Sequence, residues 1–244
     1  MLDKRSHLPL HQQLKATIED RILSGEWLPG TQVPSERELC EQYHISRITV
    51  RQALAALVME GRLIRTQGRG TFVASPRIEQ QLTQLTGFTQ DMQARGKRPS
   101  AQVLEANSVA APPTVARALK IKVGENVIML KRLRLADGEP VAIETAYLLE
   151  SRCPGILKEN LAARSLYDLL TKKFGLKPVR ALQQMEAIAC PAAEAKLLGT
   201  RRGVPVLHIH RTTYDREGRA FELVESVYRG DRYTFYAELH GEGL

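Results

Sequence analysis

Between Ile45 and Val73 the chain carries five arginines, Arg47, Arg51, Arg62, Arg65 and Arg69, against a single acid, Glu60. Arginine presents a planar fork of N–H donors that bonds bidentately to a guanine edge or holds a phosphate, so this run fits a polyanion better than a reacting centre. Arg47 and Arg51 are four positions apart, the spacing that places two side chains on one helix face. Ser46 and Thr49 fall at the start of that helix, where unpaired backbone N–H groups attract phosphate. Arg37 opens the preceding helical stretch, placed for an adjacent phosphate, and Gln67-Gly68-Arg69-Gly70 makes a basic tip whose glycines permit close approach to a groove. A solvated helix face also carries arginine pairs. What favours DNA is the order: a capped turn, an apolar stripe, basic residues opposite it, then a Gly-Arg-Gly tip.

A second group of chemically able residues lies further along. In the strand-like run Val127–Leu135 side chains alternate, so Arg132 and Arg134 share a face with Ile128 and Leu130. Two guanidiniums beside aliphatic neighbours need an anion, which is either an internal carboxylate or a bound phosphate or carboxylate ligand. If Ala136-Asp137-Gly138 is a three-residue loop with a glycine bulge, Glu144 lies on the arginine face; a two-residue loop turns it away. The three-residue loop is the expectation, giving a pocket with cationic and anionic ends. Gly87-Phe-Thr-Gln-Asp91 begins a helix, either as an ordinary start or as a cradle for phosphate. His208 and His210 share a strand face but have no third ligand at a recognisable spacing, so they are read as structural, with no metal.

The elements that must position these residues follow from periodicity. Leu10, Leu14, Ile18 and Ile22 form one stripe of a helix begun by Pro9 and ended by Gly25. Ser35 and Glu38 form a capping box for a short second helix ending near Tyr43. Ser46 caps a third, with Val50, Ala53, Leu54, Leu57 and Val58 inward and Gly61 at its end. Leu63–Thr66 and Gly70–Val73 read as a hairpin, which completes a winged helix-turn-helix over residues 1–75. Residues 76–84 lose periodicity and are expected to be a linker, and 85–244 a second domain.

In that second domain strands are expected at Gln102–Val109, Val127–Leu135, Pro140–Leu149, Arg180–Ala189, Val206–Tyr214, Ala220–Arg229 and Thr234–His240. Helices are expected at about Pro113–Ile121, Ser165–Gly175 and Pro191–Gly199. Gly124-x-x-Val127-x-x-Leu130-x-Arg132 echoes Gly203-x-x-Val206-x-x-Ile209-x-Arg211, which points to a duplicated helix-strand-strand unit. Turns at Asp137-Gly138 and Glu217-Gly218 imply a mainly antiparallel sheet with helices on one face, an α+β domain.

The 244 residues suffice for two modest domains. A 43% hydrophobic and 25% charged composition is that of an ordinary globular chain, and no run approaches the ~20 apolar residues of a membrane span. The N-terminus lacks the apolar stretch of a secretory signal, so a cytoplasmic location is expected. Cys40, Cys153 and Cys190 are odd in number and dispersed, against a disulfide framework or a zinc site. The net charge of +8 suits a polyanionic partner.

Pro34-Ser-Glu-Arg-Glu-Leu39, Ser46-Arg-Ile-Thr-Val-Arg-Gln-Ala-Leu54, Glu60-Gly61 and Gly68-Arg-Gly-Thr-Phe-Val73 resemble the signature of GntR-type bacterial repressors over most of residues 8–74. The resemblance implies a homodimeric winged-helix repressor on a palindromic double-stranded operator, released by a small effector. It implies DNA contacts at Arg37, Ser46, Arg47, Thr49, Arg51, Gly68, Arg69 and Gly70. From about 85 to 240, Leu130-Lys-Arg-Leu-Arg134, Asp137-Gly-Glu-Pro140, Ser165-Leu-Tyr167 and Tyr228-Arg-Gly-Asp-Arg-Tyr-Thr-Phe235 are similar to the UTRA effector domain of the HutC branch, with a chorismate-lyase-like fold and the dimer contact. Within that branch the pattern is similar to regulators of N-acetylglucosamine utilisation. This implies contacts to a phosphorylated amino sugar from Phe88, Thr89, Gln90, Arg132, Arg134, Glu144, Ser165, Tyr167, Glu222 and Tyr228. Branch members also sense urocanate and other sugar phosphates. An enzyme using Glu222 or Glu144 as a general acid is the competing reading, but the sequence shows no GxSxG, P-loop or metal triad, and no cofactor is expected.

Overall fold

The computed structural model describes residues 2–66, 68–74 and 77–239 and divides into two compact units, Met1–Arg77 and Ile78–Leu244. Gln67 of the expected wing tip, positions 75 and 76 of the expected linker, and 240–244, including the end of the last expected strand, lie outside the described residues.

In the first unit, α1 (Leu10–Leu23) begins after Pro9 and buries Leu14 and Ile18. A two-residue strand β1 (Gln32–Val33) precedes α2 (Glu36–Tyr43). The capping box forms: Glu38 donates its N–H to Ser35 Oγ at 3.3 Å, and Ser35 donates its own to Glu38 Oε2 at 2.7 Å. His44 ends α2 in the left-handed region, at φ 50°. Ser46 then caps α3 (Arg47–Met59) by accepting the Thr49 N–H. The apolar stripe of α3 joins Leu14, Ile18, Leu39, Leu63 and Val73 in one cluster, each fully buried leucine contributing about 1.5–3 kcal/mol. β2 (Leu63–Thr66) and β3 (Gly70–Val73) form the expected hairpin. β1, which the sequence does not mark, adds to the other edge of β3.

The second unit is built on six antiparallel strands in the order β5-β6-β7-β10-β9-β8. Before them come β4 (Ile78–Gln81) and α4 (Phe88–Ala94). β5 (Pro99–Ala110), α5 (Pro113–Leu119), β6 (Asn126–Ala136) and β7 (Glu139–Leu149) form one repeat. After α6 (Leu166–Phe174), β8 (Arg180–Ala189), α7 (Ala192–Leu197), β9 (Pro205–Tyr214) and β10 (Ala220–Arg229) form the other. The duplication echoed in the sequence is thus a symmetric sheet whose halves meet where β7 pairs with β10.

Three expectations are corrected. Helices cover both sheet faces rather than one: Leu166, Leu169 and Leu170 of α6 pack on Ile128, Leu130 and Leu148, while α5 and α7 pack on the opposite side around Val127, Leu149 and Leu223 and around Leu133, Ile143 and Val206. In β6, Ile128 and Leu130 on one face and Val127 and Leu133 on the other are all buried, as in a strand covered on both sides.

The segment expected as a linker contains β4, which runs parallel to β11 (Tyr233–Tyr236) with Ile78 opposite Tyr233 and Gln81 opposite Tyr236. Ile-Glu-Gln-Gln carries one apolar residue and a partner far along the chain, so nothing local marks it as a strand.

The β6–β7 turn has two residues, Asp137 and Gly138, both at positive φ (53° and 84°), rather than three. By itself this turn would face Glu144 away from the arginines. The pairing shifts between Arg134 and Leu135, leaving Val141 without a partner, and this bulge restores the phase so that Arg132 faces Glu144 directly.

No helix among the described residues is long and apolar enough to cross a membrane. Cys153 and Cys190 are buried in separate clusters.

Candidate functional site

Two sites are assembled, one in each unit. In the first, Val50, Ala53, Leu54 and Leu57 turn inward, so Arg47 and Arg51 stand exposed on α3. Ser46 and Thr49 hydroxyls bond each other at 2.8 Å at the helix start. Glu36 accepts from Arg51 Nε at 2.9 Å and from Arg65 Nη2 at 2.8 Å, which lines both guanidiniums up beside α2. Arg37 is exposed and lies 3.8 Å from Glu41, and Arg47 forms no ion pair among the described residues. At the wing, Gly68 and Gly70 have φ of 74° and 115°, conformations closed to most side chains. The Arg69 carbonyl is held by Gln32 Nε2 at 3.2 Å, so β1 braces the wing. All eight residues expected at DNA therefore lie on α2, α3 or the hairpin, with Arg37, Ser46, Arg47, Arg51, Gly68, Arg69 and Gly70 exposed and Thr49 half-buried.

The second site is a cavity over the sheet of the second unit, of about 590 Å³ including its open mouth. β6 supplies Arg132 and Arg134, β7 Glu144, and β10 Glu222 and Tyr228; α4 supplies Phe88 and Thr89, and the start of α6 Ser165 and Tyr167. Nine of the ten residues expected at an effector line this cavity. Gln90 does not: one turn into α4, its amide is engaged with the Gly87 N–H and with Asp168 Oδ1 on α6, each at 3.4 Å.

Arg211 of β9 also lines the cavity and was not expected there. The sequence did carry its signal, because the internal echo aligns Arg211 with Arg132. Arg211 donates to Gln183 Oε1 at 2.7 Å and to the Thr86 carbonyl at 3.3 Å. Gln80 of β4 and Ser226 of β10 complete the polar lining.

The cavity mixes charges unequally. Arg132 is paired with Glu144 by a hydrogen-bonded salt bridge. Burial alone would push the Glu144 carboxyl up, but the guanidiniums of Arg132 and Arg134 outweigh it and hold the group below its ordinary value. Glu222 is the opposite case: burial pushes it up, against the hydroxyls of Thr213 and Tyr167, which donate to it at 2.7 and 2.9 Å. Burial pushes Arg134 down to about 10, still fully charged near neutrality. Arg134 has no ion pair among the described residues; its Nη2 donates to Thr89 Oγ1 at 3.3 Å and its guanidinium sits 4.3 Å from the Phe88 ring centre. The Nε atoms of both Arg132 and Arg134 are buried without a hydrogen-bond partner among the described residues.

His208 and His210 lie on β9 with ring centres 4.3 Å apart, His210 being 3.8 Å from Glu225. They alternate with Ile209 and Arg211 and so sit on the sheet face away from the cavity. Among the described residues no group of three His, Cys, Asp or Glu side chains is placed to hold a metal ion.

Residues 10–73 match the family model of bacterial regulatory proteins of the gntR family, and residues 94–234 match the UTRA domain. The chain is 42% identical to the HTH-type transcriptional repressor NagR of Bacillus subtilis, covering 96% of each chain. It is 33% identical to a probable fructoselysine utilization operon transcriptional repressor of Escherichia coli, covering 95% of each. The crystal structure of PhnF from Mycobacterium smegmatis superposes with a TM-score of 0.68 at 35% identity, over 93% of this chain and 99% of that one.

Proposed function

The chain belongs to the GntR family of bacterial regulatory proteins, with a UTRA domain, and from this premise we propose that it is a repressor whose grip on DNA is set by a small anionic metabolite in the Arg132–Arg134 cavity. The repressor class itself is that of its relatives. The operator in this reading is palindromic double-stranded DNA bound by a homodimer, each α3 entering a major groove and each wing lying alongside. Arg47 and Arg51 read base edges, while Ser46, Thr49, Arg37 and the Gly68-Arg69-Gly70 tip hold phosphates. Work on DNA puts the protein in the cytoplasm.

One observation carries the effector half of the proposal: Arg134 is a buried guanidinium with no ion pair among the described residues, and the nearby Glu144 carboxylate is already bonded to Arg132. A charge left in that state is costly, and an anion in the cavity relieves the cost. Glu144, Glu222 and Tyr228 line the same cavity with oxygens suited to hydroxyl or amino donors. A phosphorylated amino sugar, glucosamine-6-phosphate or N-acetylglucosamine-6-phosphate, combines these two needs. Urocanate and other sugar phosphates satisfy the anion requirement alone.

The test is an operator-binding assay with and without each sugar phosphate, followed by analysis of the recovered ligand. Dissolution of the DNA complex with ligand intact supports the regulator. Consumption of the ligand would support a lyase-like enzyme instead, with Glu222 or Glu144 as general acid.

A further inference from the structure

Gln80 brings a polar side chain to the cavity from the strand nearest the DNA-binding unit in the chain. It lies on β4, which is no part of the six-stranded sheet. Its residue is only 6% exposed, and its Oε1 is buried without a hydrogen-bond donor among the described residues. Leaving an amide oxygen in that state costs free energy, so the fold keeps it against stability. Its side chain lines the same cavity as Arg132, Arg134 and Glu222.

The strand that carries Gln80 is lightly held. Among the described residues β4 pairs over four residues with β11 and with no other strand, and a two-stranded ribbon of that length is marginal by itself. Backbone bonds flank that pairing, from the Ile78 N–H to the Arg232 carbonyl at 2.7 Å and from the Leu82 N–H to the Tyr236 carbonyl at 2.9 Å; towards α4, the Glu79 carbonyl accepts from Arg95 Nε at 2.5 Å and Ile78 packs with Phe88, Met92 and Tyr233. Phe88 and Thr89 of α4 in turn touch Arg134. The chain that enters β4 leaves the DNA-binding unit at Arg77, the residue immediately before Ile78.

We propose that Gln80 is an effector contact that also reports occupancy: its Oε1 accepts a hydrogen bond from a hydroxyl, amide N–H or ammonium of the ligand, and the bond fastens β4, the strand into which the DNA-binding unit runs. This rests on the effector reading given above and assigns to it the element that carries the signal. Arg132 and Arg134 hold the anion from β6, a strand of the six-stranded sheet that does not lead directly into the other unit. Gln80 is the polar group of the cavity that sits on the connecting strand. A ligand that bonds both ends favours the state in which β4 is fixed, which is the differential affinity that a ligand-driven shift requires.

The experiment compares wild type with Gln80→Met, which keeps length and removes the unbonded oxygen, and Gln80→Asn, which keeps the amide but withdraws it by one methylene. Each is melted without ligand, titrated calorimetrically with glucosamine-6-phosphate, N-acetylglucosamine-6-phosphate and inorganic phosphate, and assayed for operator release at saturating ligand. Gln80→Met is expected to melt no lower than wild type, because a buried unpaired acceptor has gone. Both variants are expected to bind the sugar phosphates about tenfold more weakly, to bind inorganic phosphate as wild type does, and to release operator incompletely even at saturation. Unchanged sugar-phosphate affinity overturns the contact. Weakened affinity with full release at saturation overturns the coupling. If no probe binds wild type, the effector reading itself falls and takes this inference with it, an outcome separable from the other two because it appears before any substitution is made.

Discussion

Arg132 on β6 and Glu144 on β7 face each other directly across the ladder, and the register that joins them depends on one unpaired residue, Val141. With the two-residue turn alone, Glu144 would stand on the sheet face opposite to that of Arg132. The bulge therefore fixes the charge balance of the site.

The two arginines are expected to separate on substitution. Arg132→Ala leaves the largely buried Glu144 carboxylate without its partner and should lower stability by about 3–5 kcal/mol. Arg134→Met removes a buried charge that forms no ion pair among the described residues, so its thermal midpoint should hold or rise. Both should abolish release of operator by sugar phosphate. Thermal melts paired with an operator-release assay check this, and a normal response in Arg134→Met would remove Arg134 from the anion site.

Glu222 gives a pH signature. Burial raises its pKa in the folded state above its unfolded value, so its contribution is fully present below about pH 4.3 and is lost as pH rises through the raised folded value. Glu222→Gln cannot ionise and should therefore gain stability relative to wild type as pH is raised from 4 towards 8. Melting both proteins across that range tests the sign: a variant that loses stability relative to wild type as pH rises contradicts it.

At the DNA-facing surface, Arg51→Ala is expected to weaken operator binding by about 1–3 kcal/mol if its guanidinium reads a base edge. Glu36 holds Arg51 and Arg65 together, so Glu36→Gln should loosen both arginines and produce a smaller loss of affinity. Equal operator affinity for Arg51→Ala and wild type at matched salt would refute base reading by that residue.

Asp91 anchors the helix that closes the cavity. Its carboxylate accepts from Tyr233 at 2.9 Å and from Arg95. Asp91→Ala leaves the buried Tyr233 hydroxyl unpaired and should cost about 2 kcal/mol of stability. It should also weaken effector binding, because Phe88 and Thr89 sit at the start of the helix it fastens. Calorimetric titration of the variant below its melting temperature reads that second effect.

Much of this was legible in the chain. Helix caps at Ser35 and Ser46, the apolar stripe of α3 and the Gly-Arg-Gly tip are local signals, and short-range hydrogen bonds realise them directly. Alternation placed Arg132 and Arg134 on one face without reference to any partner. The β4–β11 pairing was not legible, because Ile78–Gln81 has little apolar content and its stability comes from residues far along the chain. Arg211 was visible only through the internal echo.

By itself the sequence determined the class of most elements and which side chains of one strand share a face, since backbone periodicity and capping act over a few residues. Only the tertiary structure decided which faces meet. A bulge at Val141 turned Glu144 to the arginines, helices closed both sides of the sheet, and Gln80 came to line the cavity from a strand outside it. Register and burial are set by packing between distant segments, and one unpaired residue reverses every side chain beyond it without leaving a mark in the local pattern.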